Sequence, residues 1–177
     1  MASFIDFFST FSTDPNEKGK QFERFVKWFL VNDPTWKTQV GQIWHWYEYP
    51  DRWSKDLGID LVFKHKNGDL WAVQAKGYAE TTSITKAQVD SFISAADSKT
   101  FAGRLLIGAA NSLGDNAKKV CDRQNVTRFL LSDFESSPLE FPEHYEDLSR
   151  AAPVKPPEPR KHQLEAISAV KEGFKDA

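Results

Sequence analysis

The feature that most constrains this chain is residues 57–77, LGIDLVFKHKNGDLWAVQAKG. Two apolar runs flank Asn67-Gly68, the strongest short-range signal of an antiparallel hairpin. Each run carries polar residues where a buried strand does not want them: Asp60 in the first, Gln74 and Lys76 in the second. A carboxylate, an amide and an ammonium held on a strand pair cost free energy unless they bind something. The rest of the chain reads as the scaffold for that trio.

Loop length decides whether the three can meet. With a two-residue Asn67-Gly68 loop, Asp60 lies opposite Ala75 and points away from Gln74 and Lys76, because strand side chains alternate. With a three-residue loop, Lys66-Asn67-Gly68, a type I turn closes on a left-handed glycine and His65 pairs with Asp69. Asp60 then sits directly opposite Gln74, with Lys76 its diagonal neighbour on the same face. Only the second register assembles a site, so the three-residue loop is predicted, with Gly68 at positive φ. In that register Asp60 offers the hard anionic oxygen that Mg²⁺ takes, Gln74 an amide oxygen and Ala75 a backbone carbonyl. Lys76 can orient an attacking water and stabilise charge on a phosphorane. Glu23, on a preceding helix, can reach the metal directly or through a water. Gly77 leaves room for a backbone to approach.

The flanking sequence supplies helices and further strands. Phe4, Ile5, Phe7, Phe8 and Phe11 are spaced for a short helix packed on a core. Asp14-Pro15-Asn16-Glu17 is a helix start, with Asp14 as cap, Pro15 at the first position and Glu17 three residues after the cap. Phe22, Phe25, Val26, Phe29 and Leu30 then form one buried stripe, with Glu23 at its margin. Asn32-Asp33-Pro34 stops that helix. Residues 41–49 read as a first strand, 85–96 as a helix capped by Ser83 or Thr85, and 104–110 as a strand. Residues 114–123 read as a helix and 126–131 as a last strand, with a turn at Ser132-Asp133. Residues 135–150 look acidic and loop-like, with room for one helical turn. The order predicts an α/β fold: an antiparallel meander of three strands, extended by two strands each reached through a helix, with helices on both faces of the mixed sheet.

Bulk properties bound the function. A chain of 177 residues, 40% apolar and 27% charged, can bury a core without covalent staples. The lone Cys121 excludes an intrachain disulfide, and His45, His65, His144 and His162 show no zinc-ligand spacing with it. Neither a signal peptide nor a membrane span is expected. The net charge of -2 argues against a protein that holds DNA through its own surface charge, since phosphate affinity needs basic residues. It leaves room for a module brought to DNA by something else.

Gly58-Ile59-Asp60, a turn, then Gln74-Ala75-Lys76 resembles the Mrr-like branch of the PD-(D/E)XK nucleases, in which glutamine replaces the usual second acid. Gly19-Lys20-Gln21-Phe22-Glu23 is similar to that branch's first helix, whose acidic residue maps to Glu23. The resemblance implies the restriction-endonuclease-like fold over residues 1–150, with a central mixed five-stranded sheet. It implies a cytoplasmic prokaryotic Mg²⁺-dependent endodeoxyribonuclease, with Asp60, Gln74, Lys76 and Glu23 as the catalytic set. Because glutamine lowers the negative charge, it implies one weakly held Mg²⁺ rather than two. Gln88 is expected to approach DNA or the site on the same grounds. Trp53, in the loop before the first hairpin strand, and Lys55 are candidates for touching DNA, with Lys64, Lys86 and Arg104 as further phosphate-contact candidates.

A second resemblance lies in the tail. Residues 151–160, AAPVKPPEPR, carry four prolines and read as a stiff linker. Residues 161–177 restart an amphipathic helix, and the stretch 160–167 at its start, RKHQLEAI, resembles the Q-motif of superfamily 2 helicase motors, where Gln163 would read the adenine of ATP. No Walker A sequence is present. A nuclease, a Pro-rich linker and a Q-motif in that order resemble the single-polypeptide Type I (Type ISP) restriction–modification enzymes. This implies a longer polypeptide with ATP-driven motor, methyltransferase and target-recognition domains, double-stranded DNA as partner, and a second enzyme copy for double-strand cleavage. The competing expectations are a stand-alone Mrr-like or junction-resolving nuclease, and an inactive copy of the fold used for docking or DNA binding.

Overall fold

The computed structural model describes residues 2–55, 58–77, 82–97 and 99–149. The linker at 151–160 and the Gln163 helix lie outside the described residues.

The hairpin fixes the sheet. Strands β2 (Leu61–His65) and β3 (Leu70–Lys76) pair antiparallel, with Lys64 opposite Leu70 and Leu61 opposite Val73. The His65 N–H donates to Asp69 O at 2.7 Å, the Gly68 N–H donates to His65 O at 2.8 Å, and Gly68 has φ 101°. This is the expected three-residue turn. Strand β1 (Val40–His45) adds antiparallel to β2, with a bulge between Val40 and Gln42. Strands β4 (Gly103–Gly108) and β5 (Val126–Phe129) follow in parallel, giving the order β1-β2-β3-β4-β5.

Two successive parallel crossovers in one direction, both right-handed, must lie on the same face of the sheet. Helices α3 (Lys86–Ala95) and α4 (Asp115–Arg123) make those crossovers, and Val89, Phe92, Ala117 and Cys121 pack with Val62, Ala72 and Leu106 of the sheet. The opposite face is covered from the chain ends. Helices α1 (Phe4–Ser9), α2 (Pro15–Asn32) and α5 (Leu131–Ser136) bury Phe4, Phe7, Phe22, Phe25, Phe29 and Phe134 against Leu61, Phe63, Val73 and Leu105. The fold is therefore the expected α/β sandwich, a mixed five-stranded sheet with helices on both faces. Among the described residues, no helix is long and apolar enough to cross a membrane.

Several local expectations are corrected. Ile5 is 41% exposed and leaves the aromatic stripe of α1. The first strand ends at His45, and Trp46–Glu48 form a 3-10 turn in which Glu48 Oε2 accepts from the His45 N–H. At Ser132-Asp133 a short helix replaces the turn, anchored by the Leu130 N–H on Asp133 Oδ2 at 2.7 Å. Residues 137–140 are irregular, as expected of that stretch, but Leu139 and Phe141 are buried, and Phe141 bridges to Ala2. Thr85, not Ser83, caps α3. At α2 only half of the capping box forms: Asp14 accepts from the Glu17 N–H, while the Glu17 side chain pairs with Arg24.

Candidate active site

The site lies where β2 and β3 part, beyond the carboxyl end of β3, where open α/β sheets place ligands. Asp60 immediately precedes β2. Its N–H still donates to Val73 O at 2.9 Å, but its carboxylate Oδ2 takes the Ala75 N–H at 2.7 Å. A side chain has replaced the strand ladder, and the carboxylate is fixed against the strand that carries Lys76.

An open cleft of about 390 Å³ at this point is lined by Glu23, Asp60, Ala75, Lys76 and Gly77, together with Thr13, Pro15, Lys18 and Gly19. Glu23 reaches it from α2 on the Phe-rich face. Phe22, the residue before it, is fully buried, so the helix is keyed into the core at the point where Glu23 leaves it. Gly77 makes that keying possible: a Cβ there would lie 2.7 Å from Phe22 Cβ. The expected close approach at Gly77 is thus made by a phenylalanine, not by a backbone.

Electrostatics mark the cleft. Burial, then the charge of Asp60, push the Glu23 carboxyl up to about 7, with Arg24, Lys76 and Lys20 pulling the other way. Burial raises Asp60 to about 6, offset by the Ala75 N–H and by Lys76. Among the described residues no cluster of three or more His, Cys, Asp or Glu side chains could hold a metal. A metal here would rest on the two carboxylates and on neutral oxygens.

Gln74 is placed differently from Asp60 and Lys76. It is 4% exposed and is not among the cleft's lining residues. Strand alternation puts it with Ala72 on the face that α3 covers, a face that Lys76 shares and, through the Leu61–Val73 register, Asp60 too. Gln74 is the member of the three that does not open to the cleft. Its Nε2 donates to Gly58 O at 2.9 Å, while its buried Oε1 accepts no hydrogen bond from any described residue. Gly58 has φ 70°, a conformation that suits glycine and aims this carbonyl.

The candidate DNA contacts are not brought together. Trp53 is 50% exposed, with its ring edge-on to Trp46 at 5.1 Å. Lys55 is exposed, and neither residue lines the cleft. Gln88 completes the capping box of α3, its Oε1 taking the Thr85 N–H at 2.9 Å. Lys86 pairs with Asp90, and Arg104 donates to Ala96 O and Gln124 O, which gives both structural work. Conversely, sequence reasoning did not place Pro15 and Gly19 in the cleft, although the i, i+4, i+8 spacing Pro15–Gly19–Glu23 puts all three on one helix ridge.

A mixed five-stranded sheet of this order, with helices on both faces, is the architecture expected of a restriction-endonuclease-like domain. The chain belongs to the Mrr_cat_2 family of restriction endonucleases, whose model matches residues 31–150 and so begins after Glu23. Among solved structures it is similar to the ATP-dependent Type ISP restriction-modification enzyme LlaBIII bound to DNA, at 25% identity and a TM-score of 0.71 over 90% of the chain. The chain spans about 10% of that protein's length. The DNA modification-dependent restriction endonuclease AspBHI is matched at 12% identity and a TM-score of 0.45, over 89% of this chain and 37% of that one. No match is found among curated proteins.

Proposed function

We propose that this domain is a Mg²⁺-dependent endonuclease that hydrolyses phosphodiester bonds of double-stranded DNA. The observation that carries the reading is the meeting of Glu23, Asp60 and Lys76 in one cleft, with both carboxyls raised toward neutral pH. Carboxylates that are short of water and repel each other are relieved by a divalent cation. The donors suit Mg²⁺, which takes few protein oxygens and keeps several waters. Asp60 would hold the ion, with Glu23 directly or through a water. The unpartnered Gln74 Oε1 and the Ala75 carbonyl are the further oxygens available. When bound, the ion supplies Lewis acidity toward a phosphate oxygen. Lys76 brings positive charge to the non-bridging oxygens as negative charge builds on them, and orients the attacking water. The Ala75 N–H keeps the Asp60 carboxylate from swinging away.

The working context is a longer ATP-driven restriction–modification polypeptide. Its motor, methyltransferase and target-recognition domains would hold the DNA, and Gln163 would read ATP in the motor. The similarity to a Type ISP enzyme and the Q-motif-like tail support this. A net charge of -2 fits a nuclease delivered by neighbouring domains. Plasmid cleavage with Mg²⁺, by the chain and by the full polypeptide with ATP, tests both levels. Asp60→Ala and Lys76→Ala are expected to lose cleavage by about 10²-fold or more, with ATP turnover by the full polypeptide retained. Undiminished cleavage in both variants refutes the site.

A further inference from the structure

Seven of the eight described glycines have a visible reason to be glycine. Gly58 and Gly68 take positive φ. At Gly41, Gly77, Gly103 and Gly108 a Cβ would meet a neighbouring atom within 3.2 Å, and Gly114 caps α4. Gly19 has neither reason. It lies in the second turn of α2, well inside Pro15–Asn32, and a Cβ there would meet nothing within 4 Å. Glycine inside a helix is unfavourable relative to alanine, and no packing at this position compensates for it.

What sets Gly19 apart is its place. It lines the same cleft as Glu23 and Asp60, one helical turn before Glu23 on the same ridge. Side chains on a helix lean toward its N-terminus, so Glu23 reaches back over the turn that Gly19 leaves bare. Any side chain at position 19 would stand in the open part of the cleft beside that carboxylate. We infer that Gly19 is a substrate-positioning residue, the point where the sugar-phosphate backbone of the cleaved strand lies against the backbone of α2. The inference rests on the nuclease reading of the cleft.

Gly19→Ala and Gly19→Leu, with Lys76→Ala in parallel, test it on the chain and on the full polypeptide. Gly19→Ala is expected to raise the melting temperature by about 2–4 °C, the gain of a better helix former. The rise in melting temperature produced by Mg²⁺ without DNA should match wild type. Cleavage should fall about 10-fold for Ala and about 100-fold for Leu, mostly in KM, with a parallel loss of DNA binding measured in Ca²⁺. A stabilised enzyme that cuts worse is the signature of a position kept bare for substrate, which a structural glycine would not give. Wild-type cleavage by the Leu variant, or a lower melting temperature for the Ala variant, overturns the inference. If Lys76→Ala abolishes cleavage while the Gly19 variants cut normally, this inference fails alone. If Lys76→Ala also cuts normally, the nuclease reading fails with it.

Discussion

Phe22 and Glu23 are neighbours in sequence and belong to two different regimes. Phe22 is fully buried in the aromatic layer that joins α1, α2 and α5, with ring centroids 5.7 Å from Phe8 and 5.8 Å from Phe25. Glu23 stands at the cleft, its carboxyl pushed up to about 7 by burial and by Asp60. One peptide bond separates a group that folding places at its free-energy minimum from one that folding holds away from it. Every contact in the aromatic layer is satisfied by burial alone, because ring packing has no charge to balance. The cleft instead gathers two carboxyls and a lysine, and beside Asp60 the buried Gln74 Oε1 accepts no hydrogen bond from the described residues. The packed layer is what allows the strained one to persist.

The largest expected effect breaks the packed side. Phe25 has no exposed surface and contacts Phe4, Phe7, Phe22, Phe29 and Phe134. Phe25→Ala should cost about 3–5 kcal/mol in denaturant unfolding, the range for a large cavity in a core. A loss under about 1 kcal/mol would show that the layer collapses around the gap and is not a rigid support. A smaller effect joins the two sides. Gly77→Ala drives a methyl into Phe22, so it should destabilise by about 1–3 kcal/mol. It should also lower cleavage, because moving Phe22 moves Glu23. Gly77 and Gly19 line one cleft, yet alanine should act with opposite sign on stability at the two positions. Melting curves of the pair decide this directly.

What the sequence reveals follows the same division. The hairpin register was legible because strand side chains repeat every two residues and the Asn-Gly turn admits few loop lengths. The helix stripe of α2 was legible for the same kind of reason. The short 3-10 turn at Trp46–Glu48 was not: its aromatic residues favour a strand locally, and hydrogen bonds from the His45 N–H to Glu48 and from the Tyr49 N–H to Trp46 O turn the chain. The burial of Phe141 was not legible because it goes with a bridge to Ala2, 139 residues away in sequence. At the cleft, the pattern gave residue types and register but not the hydrogen bonding of Gln74. That depends on the Gly58 carbonyl, which positive φ aims at the amide.

The smallest effect concerns the pH dependence of the metal-free protein. Glu23 at about 7 and Asp60 at about 6 both stand above their ordinary values of 4.5 and 3.8. The folded state therefore holds more protons than the unfolded state between about pH 4 and pH 7, and stability must fall as pH rises through that window. The stabilising contribution of the protonated carboxyls is complete below about pH 4 and gone above about pH 7. Screening in an open cleft reduces the full effect to about 1–2 kcal/mol. His45, whose pKa burial lowers, acts with opposite sign, since its neutral form is preferred and stability rises with pH through the histidine range. Comparing wild type with the Glu23→Gln/Asp60→Asn double variant cancels that term. With metal chelated, the double variant should melt a few degrees higher than wild type at pH 8 and equal it at pH 4. Mg²⁺ should raise the wild-type melting temperature more at pH 8 than at pH 6, because binding requires the charged carboxylates, and should leave the double variant unmoved. Equal slopes for the two proteins would mean that the carboxyls are relaxed without a cation. The contrast between Phe22 and Glu23 would then be one of burial alone, not of unmet charge.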